Sequence, residues 1–101
     1  KRFGPAPGQG PSEETMDGGF FKARFWGRGA DGQVVRAVVG ASGDPGNRVT
    51  VNLLCTCATL LMERRDELPE GAGFLTPMSA FGEALIEAMH ALDMTAKVEG
   101  L

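Results

Sequence analysis

The chain has 101 residues, 43% of them hydrophobic, and a formal charge of −3. That length suits one domain with a small core, and the acidic balance argues against a nucleic-acid partner, which needs a basic footprint. No run is long enough to span a membrane and no secretory h-region is present.

The first residue is Lys, not Met, and residues 1–17 read as loop. The expectation is a C-terminal fragment of a longer protein, with 1–17 an extended tether or interdomain segment and 18–101 a single α+β domain. Within the tether, Ser12 is placed to cap one helical turn carrying Glu13 and Glu14 at its positive end, with Gly18 as its stop.

Gly19 to Trp26 alternates Phe21, Ala23 and Phe25 with Lys22, Arg24 and Trp26, as a strand does. Gln33 to Val39 is a second strand, rich in β-branched residues. The connector Gly27-Arg28-Gly29-Ala30-Asp31-Gly32 carries the Asp-Gly pair of a hairpin turn. It also matches G-x-G-x-x-G, the dinucleotide fingerprint. That match is rejected because a strand follows it, whereas the fingerprint needs a helix N-terminus to receive the pyrophosphate.

Asp44-Pro45 opens a helix running to Arg65, with Asp44 as cap and Pro45 at the first helical position. Val49, Val51, Leu53, Leu54, Cys55, Cys57, Ala58, Leu60, Leu61 and Met62 leave one narrow polar stripe of Arg48, Asn52, Thr56, Thr59 and Glu63. A helix this apolar is expected to be covered on most of its circumference. Cys55 and Cys57 point about 200° apart, so they cannot share a metal or a disulfide. They read as buried reduced thiols, which suits a reducing, cytoplasmic setting. The five methionines read as gap-filling core residues.

Thr76-Pro77 starts a second helix to about Leu92, with Met78, Phe81, Leu85, Met89 and Leu92 as its buried stripe and Glu83, Glu87 and His90 on its wet face. Met94 to Val98 is a third strand. The order is β-β-α-α-β, an antiparallel or mixed sheet with two helices packed on one face. Phe21, Phe25, Val35, Ala37 and Val39 are then expected to meet the helices. The opposite face carries Lys22, Arg24, Trp26 and Arg36, the interface candidates.

No metal set or nucleophile–base pair emerges. His90 has no second histidine beside it and reads as a solvated helix-end imidazole. Helix caps offer fixed polar groups, so Ser12, Glu13, Asp44 and Thr76 are the substrate-cleft candidates. One functional option is that the helix starts at Asp44 and Thr76 lie together and present free N–H groups to an anion.

Gly10-Pro11-Ser12-Glu13-Glu14-Thr15, an aromatic strand, Gly43-Asp44-Pro45-Gly46 opening a long helix, Gly73-Phe74-Leu75-Thr76-Pro77, and a helix around Ala80-Phe81-Gly82-Glu83-Ala84-Leu85-Ile86 occur in that order. Together they resemble the C-terminal part of the saccharopine dehydrogenase-like oxidoreductases, a group that includes the trans-acting enoyl reductases. In that group an aromatic is common where Asn47 stands. The resemblance implies a parent enzyme whose N-terminal Rossmann domain binds NAD(P). This segment would then complete the substrate cleft, contribute to a homodimer and be inactive alone, with no cofactor of its own. A rival reading, drawn from the residues, is a stand-alone α+β association module acting through the Trp26 face.

Overall fold

The computed structural model describes residue 6 and residues 8–99. Most of the expected tether over residues 1–10 lies outside the described residues. The elements run α1 (Glu13–Asp17), β1 (Phe20–Arg28), β2 (Val34–Ser42), α2 (Thr50–Glu63), α3 (Pro77–Phe81), α4 (Glu83–Ala91) and β3 (Thr95–Glu99). A wide helical turn over Pro45–Val49 leads into α2, and one tight turn, Arg65–Glu67, follows it. The three strands form one antiparallel sheet in the order β1-β2-β3, so β2 is central. The fold is α+β, in the expected order of strands and main helices.

The hairpin forms where Asp31-Gly32 calls for it. Gly29 N–H donates to the Gln33 carbonyl (2.8 Å), and Gln33 N–H donates to Asp31 Oδ1 (3.1 Å). Strand alternation then divides the sheet. Pairings of Phe21 with Ala41, Ala23 with Val39 and Phe25 with Ala37 put these residues on one face. Ala96 and Val98 join that face opposite Val39 and Ala37. The core lies against one end of it. Val49, Leu60, Phe81, Ala84, Leu85, Met89 and Met94 are buried together, with Phe21, Val39, Ala41 and Ala96 packed against them.

Two expected members of the helix-facing row are not covered. Phe25 is 54% exposed and Val35 is also exposed, because the strands run on past the helices. The second helix is not continuous either. Gly82 has φ +54° and ψ −136° and breaks it into α3 and α4. A side chain there would be strained at that φ, and its Cβ would press to 3.2 Å from Pro69 Cγ. Met78, in α3, is exposed, as is Leu92 just past the end of α4, while Phe81, Leu85 and Met89 are buried.

The largest departure is α2. Its inward stripe is Val49, Leu53, Cys57 and Leu60, spaced as a helix requires. Its outward side is apolar too: Leu54 is 69% exposed, Met62 84%, and Val51 and Leu61 are also exposed. The expected near-complete cover is absent among the described residues, since the sheet and the short α3–α4 unit reach only one side. The expected polar stripe is therefore not the sole wet edge, and its member Thr56 is half-buried. Cys55 is exposed and Cys57 half-buried, not both buried, and only Met89 and Met94 of the methionines are core. Burial pushes the Cys57 thiol up from its ordinary value.

Leu85→Ala is expected to cost about 2–5 kcal/mol, since Leu85 sits at the centre of the core. Leu54→Ala on the open side of α2 should change stability by no more than about 0.5 kcal/mol. Urea unfolding of both variants checks the contrast.

Candidate functional site

Each cleft candidate is a working cap or sits beside one. Ser12 Oγ accepts from Thr15 N–H (3.2 Å), starting α1, and Glu13 is exposed in its first turn. Thr76 Oγ1 accepts from Ser79 N–H (3.3 Å), starting α3. Asp44 Oδ2 accepts from both the backbone N–H of Asn47 (2.9 Å) and its side-chain Nδ2 (2.8 Å). The side-chain bond explains Asn47 at that position: it adds a second donor to the cap carboxylate. It went unnoticed in the sequence, although a polar residue three after an Asp cap is the signal that could have found it.

The end of α1 packs against Asp44. Asp44 N–H donates to the Met16 carbonyl (2.7 Å), Gly43 N–H donates to the Gly19 carbonyl (2.7 Å), and Arg48 pairs with Asp17 (3.1 Å). These contacts dock the C-terminal end of α1 beside the start of α2, while Ser12 and Glu13 lie at the opposite end of α1. Thr76 is elsewhere. Its neighbours Leu75 and Ala80 line a groove with Leu61 and Arg65, at the far end of α2. A 14-residue helix is about 21 Å long. The two helix starts therefore do not converge, and a shared anion site between them is ruled out.

His90 is exposed, but it is bound. Its Nε2 lies 2.8 Å from the Ala96 carbonyl, and a carbonyl only accepts, so Nε2 carries the proton. The imidazole thus ties the end of α4 to β3. A second tie joins α2 to α4: Arg64 Nη2 donates to Glu67 Oε2 (2.6 Å) and Glu87 Oε2 (3.0 Å). Hydrogen bonding to Glu67, then Glu87, holds the Arg64 guanidinium protonated still more firmly.

The glycine-rich connector joins two paired strands and no helix N-terminus follows it, so it does not fit a dinucleotide pyrophosphate. No group of three or more His, Cys, Asp or Glu side chains able to hold a metal occurs among the described residues. No helix among them is long and apolar enough to cross a membrane.

The interface candidates do share a face. Pairing sets Lys22 opposite Gly40, Arg24 opposite Val38 and Trp26 opposite Arg36, with Thr95, Lys97 and Glu99 completing the rows on β3. Lys22, Arg24 and Trp26 are exposed. Glu99 bridges Arg36 (2.6 Å) and Lys97 (2.9 Å). Its carboxyl is held below its ordinary value by the hydrogen bond from Lys97 and then by that from Arg36.

The hydrogen bond from the Asn47 side chain, aided by backbone N–H groups, lowers the Asp44 carboxyl below its ordinary value of 3.8. A depressed carboxylate stabilises the fold above its unfolded value, and that contribution is lost as pH falls through the folded value. Asp44→Ala should therefore flatten the acid limb of the stability curve below pH 3.8. Urea midpoints measured down the acid range check this: an unchanged limb would remove Asp44 as its source.

No family model matches the chain, and no solved structure matches it. Curated proteins do. A Mycobacterium tuberculosis protein provisionally named a trans-acting enoyl reductase is 34% identical over 101 residues, which is all of this chain and 24% of the relative. The trans-acting enoyl reductase of Mycobacterium bovis is 34% identical over 86 residues, 85% of this chain and 20% of the relative. A second Mycobacterium tuberculosis protein of that name gives the same figures. The chain thus spans a fifth to a quarter of the length of the curated relatives it matches, and is similar to one segment of proteins named for an oxidoreductase activity.

Proposed function

We propose that this chain is the substrate-side and dimerisation unit of an NAD(P)-dependent oxidoreductase of the saccharopine dehydrogenase-like group, and that it is inactive by itself. The observation that carries the reading is the 34% identity sustained over the whole chain to a segment of a named enoyl reductase. Two features support it. The glycine-rich connector does not fit a dinucleotide, so the cofactor would be held by a Rossmann domain on residues outside this chain. The outward side of α2, with Leu54 and Met62 exposed, suits burial against such a neighbour.

In this reading the cofactor supplies hydride transfer. The chain's own part is to position the acceptor and exclude water from it. Asp44, where the end of α1 meets the start of α2, and Ser12 and Glu13, at the start of α1, are the residues we assign to the cleft edge. Thr76, at the far end of α2, is not grouped with them. The free thiols Cys55 and Cys57 favour a reducing, cytoplasmic setting.

Titrating the chain with NADPH should give no saturable binding, and fusing it to a Rossmann domain of a matching relative should give binding and enoyl reduction. Saturation of the isolated chain at submicromolar NADPH would overturn the proposal. So would a fusion that binds NADPH but reduces nothing faster than the Rossmann domain alone.

A further inference from the structure

The sheet face turned away from the helices is cationic in a chain that is acidic overall. Lys22, Arg24, Arg28, Arg36 and Lys97 share it with one carboxylate, Glu99, while the chain carries a net charge of −3. Glu99 is spent on Arg36 and Lys97. Lys22, Arg24 and Arg28 lie in a row on the edge strand β1, and none of them enters an ion pair among the described residues. Trp26 stands in the same row, 63% exposed. A groove of about 390 Å³ runs beside them over Val38 and Gly40, between Lys22 on one side and Lys97 and Thr95 on the other, with Asp93 at its rim. A Cβ at Gly40 would meet the Phe21 carbonyl oxygen at 2.8 Å, so the backbone of β1 leaves no room for a side chain there.

We infer that this face docks the acidic surface of a second, different protein. Charge complementarity selects the occupant. A second copy paired through the same face would set these cations against themselves, which costs rather than gains. A nucleic acid fits poorly as well. The patch is about 20 Å long from Lys22 to Arg28, and a longer polyanion would run onto a surface more acidic than the chain's net charge. Exposed Trp and Arg side by side are the residue types on which protein interfaces concentrate their energy. The inference does not rest on the oxidoreductase reading.

Trp26 is the chain's single tryptophan, so its fluorescence reads this face alone. The probe is poly-L-glutamate of about six residues, about 20 Å when extended and so matched to the patch. Saturable binding is expected, lost at about 0.5 M NaCl. It should weaken at least about tenfold when Lys22→Glu, Arg24→Glu and Arg28→Glu are combined. Arg65→Glu, off this face, should leave it unchanged. If the charge-reversed variant loses its far-UV circular dichroism, the triple change to Gln replaces it. The inference fails if poly-L-glutamate does not bind, or if Arg65→Glu weakens it equally. It also fails if an oligothymidylate of about the same extended length, about 20 Å, binds more tightly. It fails too if the chain sediments as a dimer that the charge reversal splits.

Discussion

The structure is governed by a mismatch of lengths. Strands β1 and β2 have nine residues each, about 30 Å, while α4 has nine residues, about 14 Å. The helices therefore cover the sheet rows built on Phe21–Ala41 and Val39–Ala96 and only partly cover the row Phe25–Ala37–Val98, where Phe25 and Val98 are exposed. Val98 in that row is 71% exposed. Where helix cover ends, an apolar cavity of about 280 Å³ opens between Ala37 and Val98 on the sheet and Met78 and Ile86 on the helices. A small core at one end of a long sheet is the physical reason so much apolar surface stays outside.

The far face solves the same problem by different means. Val38 is 2% exposed, although among the described residues no helix packs on that side of the sheet. Its register neighbours are Arg24 and Lys97. Their aliphatic stems can lie along an apolar floor while their charged ends stay in water. The two residues placed to shield Val38 are also residues that make the face cationic. Arg24→Ala would therefore remove an aliphatic stem placed beside Val38 as well as a charge.

Much of this was legible in the sequence, because it depends on local chemistry. Asp31-Gly32 announces its hairpin. Ser12, Asp44 and Thr76 announce their helices, and alternation from Phe21 to Trp26 sorts β1 into two faces. What was not legible depends on how much of the chain is available to cover each element. Periodicity shows that α2 is apolar on several sides; it does not show that α3 and α4 are too short to enclose it. The exposure of Cys55, Leu54 and Met62 follows from that shortage alone. Gly82 is the other case. Nothing in Phe81-Gly82-Glu83 distinguishes a tolerated helical glycine from one at φ +54°, because the packing of Pro69 against it is long-range. The meeting of α1 with Asp44 was hidden for the same reason: it runs through backbone groups of Met16 and Gly19, which carry no sequence signal.

The two uncovered surfaces differ in kind, and the difference bears on what each is suited to meet. The outward side of α2 presents Val51, Leu54, Leu61 and Met62 without charge between them. Surface of that character resembles the interior of a permanent interface, where apolar area stays out of water for the life of the protein. The sheet face around Trp26 is studded with solvated cations. Burying them is costly unless acids meet them, and the attraction is screened by salt, so contact there suits a partner that arrives and leaves. One chain thus carries one surface fit for a lasting neighbour and one fit for a visitor. A single covalent neighbour occupying both would have to bury Lys22, Arg24 and Arg28 against matched carboxylates, and the open apolar side of α2 gives no reason to expect such a neighbour to be acidic.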